Sequence, residues 1–184
     1  MKRWDALAEI TPLLGNSLVV TCNGMLGRDL WAIGDQPNQF YMIGSMGLAS
    51  SIGLGLAIAQ PKKRVVILDG DGNVLMNLGG LANIGAHKPA NLYHFILDNG
   101  THASTGDKKT VSRSVPLEEI ARSCAYRHVA RVRGGVEKAA KEMLAGEGPA
   151  CLLIEVEPGN QPKVPRVGIG SPAMAQRFRQ ASMK

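Results

Sequence analysis

Short apolar runs alternate with amphipathic stretches along the whole chain. The runs are Ser17–Cys22, Phe40–Ile43, Arg64–Asp69, Leu92–Leu97, Tyr126–Val132 and Cys151–Val156. Each has the length of a strand, and most are rich in β-branched residues. Arg64–Asp69, reading RVVILD, is the clearest, and its almost unbroken apolar character predicts a strand covered on both faces. Between the runs, apolar residues recur at helical spacing. Residues 3–14 form one such stretch, with Trp4, Leu7, Ile10 and Leu14 on the apolar face and Gly15-Asn16 as its stop. Further helices are expected over 26–33, from Gly47 to about Ala59, over 74–86, from Pro116 through Ser123, over 136–145 and around 173–181. Residues 100–115 show no periodicity and read as a loop, and Pro158–Pro172 as a Pro/Gly-rich link.

Such βα alternation predicts an α/β fold: a doubly wound parallel sheet with helices on both faces and right-handed crossovers. Ligands in sheets of this kind bind at the carboxyl ends of strands, so the turns after the strands carry the interest.

Composition narrows the function classes. The chain of 184 residues fits one domain and can bury a core. Its 22 glycines beside only 4% aromatic residues predict close backbone packing, in the helix after Gly47 above all. The longest apolar stretch, Met46–Gln60, is too short to cross a bilayer, and no leader segment opens the chain, so a cytoplasmic protein away from membranes is expected. Cys22, Cys124 and Cys151 are odd in number and far apart, which argues against a disulfide framework or a zinc site. The net charge of +6 is scattered, with dense runs only at Lys62-Lys63-Arg64 and Lys108-Lys109 and no aromatic interleaving. A nucleic-acid partner is therefore not expected, whereas a small anionic substrate is.

Two turns carry chemistry. In Leu68-Asp69-Gly70-Asp71-Gly72-Asn73 a strand ends, glycines bracket an aspartate and a helix begins. Glycine allows close backbone approach, and the helix start offers N–H groups to an anion. A carboxylate beside that anion would repel it unless a hard divalent cation lay between them. Alone, the motif could be a tight turn with a helix cap. The second turn, Asp98-Asn99-Gly100, follows after 26 residues (73–98), the length of one helix plus one strand. Asp71 and Asn99 should then emerge at adjacent strand ends, where the Asn carbonyl adds a neutral oxygen to the same cation.

Gly-Asp-Gly followed by about two dozen residues and Asn resembles the signature of the thiamine diphosphate-dependent decarboxylase superfamily. The stretches FYMIGSMGLASSIGLGLAIA, VVILDGDGNVLMNLGGLANIGAHKPANL and LDNGTHASTG are similar to its diphosphate-binding (PP) domain over nearly the whole chain, most of all to phosphonopyruvate decarboxylases and sulfopyruvate decarboxylase β subunits. The resemblance implies a single PP domain over residues 1–184, with a C-terminal extension from about 158, binding thiamine diphosphate and Mg²⁺. It implies Asp71, Asn99 and the Thr101 carbonyl as metal ligands. Asn23, Gly24, Met25, Gly70, Gly72, Asn73 and Ser104 would meet the diphosphate. Gly44, Ser45 and Met46 would meet the aminopyrimidine, with Met46 as the wedge that keeps the cofactor bent. Asp98 stands where many relatives carry Asn, and only the second residue of that pair is a ligand.

The implied reaction is decarboxylation of 3-phosphonopyruvate or 3-sulfopyruvate. The loop from His102 to Arg113 is expected to cover the site, with His102 catalytic and His102, Lys108 and Lys109 toward the substrate's distal anion. Thiamine diphosphate chemistry also needs a glutamate at N1′, and none of this chain's glutamates lies in a pyrimidine-binding (PYR) context. A PYR-domain α subunit is the expected partner, together with self-association of PP domains through the small-residue helix after Gly47. An acetolactate-synthase-like carboligase component and a non-catalytic thiamine diphosphate-binding regulatory subunit are the rival readings.

Overall fold

The computed structural model describes residues Met1–Met183. Six parallel strands form one sheet: β1 (Leu18–Thr21), β2 (Gln39–Tyr41), β3 (Val65–Gly70), β4 (Leu92–Asp98), β7 (His128–Val132) and β8 (Ala150–Glu155). Their order is β2-β1-β3-β4-β8-β7, and every pairing is parallel. The central strands are buried along almost their whole length, as their unbroken apolar sequences require. Helices cover both faces. On one, α1 (Arg3–Leu14) packs against α2 (Met25–Gly34) and α7 (Val136–Ala145). On the other lie α3 (Ala49–Ala59), α5 (Gly79–His87) and α6 (Leu117–Ser123). No helix among the described residues is long and apolar enough to cross a membrane.

The chain leaves β1 toward β2 on one side, and leaves β3 toward β4 on the other. β1 and β3 are neighbours, so their following loops diverge and open a crevice at their carboxyl ends.

Glycine permits the close packing of the helices. Helix α3 lies directly on β3, where a Cβ at Gly53 would stand 2.4 Å from the Ile67 side chain. At Gly80 on α5 a Cβ would meet Ser50 Oγ of α3 at 2.2 Å, and at Gly85 the Cys124 carbonyl oxygen at 1.4 Å. Ala49, Ser50, Gly53 and Ala57 are thus spent on packing inside the chain. They are not available for the self-association expected of them from sequence. The outward side of α3 carries Leu48, Ser51, Gly55 and Ile58 instead.

Three elements differ from the sequence expectation. The helix expected over 74–86 is two, α4 (Asp71–Met76) and α5, broken at Asn77-Leu78. The Asn77 side chain donates to the Gly47 carbonyl at 3.1 Å, a tertiary tie that helical periodicity does not encode. Within the expected loop 100–115, Thr101–His102 (β5) and Lys108–Lys109 (β6) pair as an antiparallel ribbon. Trp4 is only half-buried on α1, whereas Arg3 is buried and ion-paired with the fully buried Asp29 at 2.7 Å.

The C-terminal segment is tied to the sheet. Helix α8 (Ser171–Met183) docks on edge strand β2 through Phe178 against Phe40, ring centroids 5.5 Å apart, and a two-point Arg177–Asp35 pair at 2.6 and 2.9 Å.

Two glycine-to-alanine substitutions separate packing from propensity. Gly85→Ala should lower unfolding free energy by about 3 kcal/mol, because its methyl has no room to enter. Gly55→Ala, mid-helix with nothing within 4 Å, should raise it by about 0.5–1 kcal/mol. Denaturant unfolding of both variants measures the difference.

Candidate active site

The crevice at the carboxyl ends of β1, β3 and β4 is a cleft at the switch point. From β1 and the start of α2 come Cys22, Asn23, Gly24, Met25 and Leu26; from the β3 turn come Gly70, Asp71, Gly72 and Asn73. Leu97, Asn99, Thr101, His102, Ala103 and Ser104 line it from β4 onward, and Arg3 and Met46 complete the wall. Most residues expected from sequence to hold a cofactor are thus brought together. Gly44 and Ser45 lie at the rim outside this lining, exposed to solvent, and Lys108 and Lys109 are exposed on the ribbon.

Local structure fixes each group. Gly24, at φ 93°, turns the chain from β1 into α2 in a conformation that a side chain would strain, and so presents the first N–H groups of that helix to the cleft. Beside it, Asn23 Oδ1 is buried without a hydrogen-bond partner. Gly72 lies beneath two side chains: a Cβ there would stand 2.6 Å from His102 Cε1 and 3.4 Å from Met46 Cε. His102 and Met46 therefore both rest on the Gly-Asp-Gly turn. The Asn73 side chain reaches back to accept the Gly47 N–H at 3.0 Å, which locks the loop carrying Met46 to that turn. Ser45 holds φ at 55°, uncommon for a residue with a side chain.

The electrostatics centre on two buried carboxylates at adjacent strand ends, Asp71 and Asp98, exposed by 2% and 1%. Asp71 Oδ2 accepts the Thr110 hydroxyl at 2.5 Å. Burial raises its pKa above the ordinary carboxylate range, and the Asp98 charge adds to this. The Thr110 and Ser112 hydroxyls and the Gly72 N–H work in the opposite direction. Asp98 is turned away from the cleft: its Oδ1 accepts the Gly100 N–H at 2.9 Å and the Ser112 hydroxyl at 2.8 Å, with Arg113 Nη1 3.8 Å from Oδ2. Asn99 Oδ1 accepts the Thr101 N–H at 3.0 Å, which leaves that oxygen a second lone pair. No group of three or more His, Cys, Asp or Glu side chains converges among the described residues, so a cation here would rely on Asn and backbone oxygens beside Asp71.

Arg3, Cys22, Leu26, Leu97 and Ala103 are lining residues that sequence reasoning missed. Arg3 had no motif to announce it. It reaches the cleft from the first turn of α1, and its Nη2 donates to Asn160 Oδ1 at 3.1 Å. Asn160 in turn donates to the Ala103 carbonyl at 3.3 Å, tying the C-terminal strap to the loop over the cleft. Thr110 and Ser112 were likewise invisible, because their partners come from two other strands.

Residues 20–154 match the family described as thiamine pyrophosphate enzyme, C-terminal TPP binding domain. The chain belongs to this family. Its cofactor is thiamine diphosphate, the same molecule as thiamine pyrophosphate. Among curated proteins, the sulfopyruvate decarboxylase subunit beta of Methanothermobacter thermautotrophicus is 40% identical over 97% of this chain and 94% of its own length. The phosphonopyruvate decarboxylase of Streptomyces viridochromogenes is 40% identical over 89% of this chain, which covers 42% of that protein. The chain thus spans less than half the length of the phosphonopyruvate decarboxylases it matches. Among solved structures, benzoylformate decarboxylase from Polynucleobacter necessarius has the same fold, with a TM-score of 0.65 and 16% identity over 87% of this chain and 33% of that one.

Gly72→Ala tests whether this turn forms the floor of a thiamine diphosphate site. The added methyl displaces His102 from the turn and should weaken thiamine diphosphate binding by about tenfold or more, equivalent to the ~1–3 kcal/mol cost of overpacking. Calorimetric titration that finds unchanged affinity would remove Gly72 from the site.

Proposed function

We propose that this chain is the diphosphate-binding subunit of a Mg²⁺-dependent 2-oxo-acid decarboxylase acting on 3-sulfopyruvate or 3-phosphonopyruvate. A partner subunit with a pyrimidine-binding domain completes its active site. The observation that carries this reading is a cleft equipped at one end only. It offers a buried carboxylate, an Asn carbonyl and the N–H groups at two helix starts, yet its lining contains no glutamate for N1′ of an aminopyrimidine. The near full-length match to sulfopyruvate decarboxylase β subunits supports the two-chain arrangement.

The residues present suit the metal. Asp71 is a buried carboxylate with one oxygen held by Thr110, which leaves Oδ1 for a hard cation. Asn99 Oδ1 and the Thr101 carbonyl add neutral oxygens. The cation offsets both the Asp71 charge and the diphosphate. Met25, Gly72, Asn73 and Ser104 bind the diphosphate from the helix starts and the loop, with Asn23 and Gly24 shaping the turn beneath it. Gly44, Ser45 and Met46 would meet the aminopyrimidine, with Met46 as the apolar wedge beneath the cofactor. When bound, thiamine diphosphate supplies the electron sink for loss of CO₂. His102, seated on the Gly-Asp-Gly turn, would hold or move a proton at the reacting carbon. Lys108 and Lys109, on the ribbon strand opposite Thr101 and His102, would close toward the phosphonate or sulfonate.

The partner docks on the outward apolar side of the α3 layer. Ile43, Ile58 and Met76 are exposed by 66%, 54% and 61%, and Leu48 lies with them.

Two measurements test this function. Asp71→Asn keeps an acceptor for Thr110 but removes the charge. Mg²⁺ affinity, and thiamine diphosphate affinity with it, should fall by about 100-fold, the 2–3 kcal/mol scale of a charged contact. The melting temperature of the metal-free protein should hold or rise, because a desolvated charge is gone. Unchanged Mg²⁺ affinity contradicts the ligand set.

The second is an assay of the chain reconstituted with a PYR-domain subunit, against 3-sulfopyruvate, 3-phosphonopyruvate and pyruvate. Activity should appear only in the mixture. Lys108→Ala should lower kcat/KM for the two anionic substrates about 10- to 100-fold, and leave pyruvate little changed. Turnover by the chain alone, or equal losses on all three substrates, would count against the reading.

A further inference from the structure

The two buried carboxylates are joined by a pair of hydroxyl groups from the far leg of the cleft loop. Thr110 Oγ1 donates to Asp71 Oδ2 at 2.5 Å, Ser112 Oγ donates to Asp98 Oδ1 at 2.8 Å, and the two hydroxyl oxygens stand 3.0 Å apart. The Ser112 N–H points at Thr110 Oγ1 from 3.4 Å. Ser112 is only 3% exposed, so this bridge is an interior structure and not a surface contact. Thr110 is also fixed through its backbone, its N–H donating to the Gly100 carbonyl at 2.9 Å.

Thr110 directly follows the ribbon strand Lys108–Lys109, whose partner residues are Thr101 and His102, with Thr101 opposite Lys109. One ribbon therefore carries both a proposed carbonyl ligand, at Thr101, and the hydroxyl that grips Asp71, at Thr110. A carboxylate turns freely about its terminal bond unless one oxygen is held, and a cation site binds tightly only when its ligands are oriented before the ion arrives.

From this geometry we infer that Thr110, backed by Ser112, is the positioning residue of the cation site. It pins Asp71 Oδ2 so that Oδ1 faces the cation, and it couples occupancy of that site to ordering of the basic ribbon. The inference rests on the reading of Asp71 as a metal ligand. Nothing in the family signature assigns Thr110 or Ser112, both of which lie beyond the Asn99 turn. Filling the cation site should steady Asp71, through it Thr110, and so the segment that presents Lys108 and Lys109.

The experiment is Mn²⁺ binding, followed by electron paramagnetic resonance with thiamine diphosphate present. It is run on the parent chain and on Thr110→Val, Thr110→Ser, Ser112→Ala and Asp71→Asn, with hydrogen exchange of residues 101–109 measured alongside. Thr110→Val keeps the shape and loses the donor, so Mn²⁺ affinity should fall about 10- to 100-fold, the scale set by groups that orient metal ligands. Thr110→Ser restores the donor and should return affinity to within about threefold of the parent, whereas Ser112→Ala should show a smaller loss in the same direction. Mn²⁺ should slow exchange of the ribbon amides in the parent and do so less in Thr110→Val.

Parent-like affinity in Thr110→Val overturns the proposal, and so does Thr110→Ser binding as weakly as Thr110→Val, since packing would then be the cause. Should Thr110→Val fail to fold, the serine and Ser112→Ala variants decide, and parent-like affinity in Ser112→Ala denies the backing role. Asp71→Asn binding Mn²⁺ like the parent would remove the underlying ligand assignment. Loss in Asp71→Asn with none in Thr110→Val would remove only the positioning role.

Discussion

Burial of two carboxylates at the ends of neighbouring parallel strands is the constraint around which this molecule is arranged. An ionised group taken out of water costs several kcal/mol unless hydrogen bonds or opposite charge replace its hydration. Asp98 is largely provided for within the chain, by the Gly100 N–H, the Ser112 hydroxyl and the nearby Arg113. Asp71 is provided for only in part, its carboxylate accepting the Thr110 hydroxyl with no cationic side chain paired to it among the described residues. A carboxylate left wanting a cation, beside N–H groups wanting an anion, describes a site that a metal–diphosphate pair can complete.

The fold supplies the rigidity such a site needs. Helix α3 sits on β3 at Gly53, and α5 is pressed against α3 at Gly80 and against α6 at Gly85. These contacts leave little freedom to the turns that follow the strands. The loop with Met46 is tied to the Gly-Asp-Gly turn by Asn73 and Asn77, one on each side of Gly47. The C-terminal strap contributes through Asn160, which bridges Arg3 and the Ala103 carbonyl.

Much of this was legible in the sequence, because its strongest signals are local. The runs RVVILD and LYHFIL are buried apart from Arg64 at the start of the first, and the strand boundaries shift by only a residue in the structure. The spacing from Gly72 to Asn99 placed two turns at adjacent strand ends, and β3 and β4 do pair in parallel register. The less legible features depend on contacts distant in sequence. In GNVLMNLGGLANIGAH the local hint of a break is Gly79-Gly80, and the break falls just before it, where Asn77 reaches the Gly47 carbonyl. The small residues of α3 announced close packing, and inside the chain their neighbours are β3 and α5, which the sequence does not name. Arg3, Thr110 and Ser112 are ordinary residues in ordinary contexts until the sheet brings Asp29, Asp71 and Asp98 beside them.

The central claim is that Asp71 and Asn99 share one divalent cation that anchors thiamine diphosphate at the switch point between β1 and β3. A crystal structure of the chain grown with Mg²⁺ and thiamine diphosphate tests it most directly. The expected result is one Mg²⁺ at about 2.0–2.1 Å from an Asp71 carboxylate oxygen, Asn99 Oδ1, the Thr101 carbonyl and diphosphate oxygens, in octahedral geometry. A diphosphate bound at the starts of α2 and α4 with no cation on Asp71, or a cation held by other residues, would contradict it.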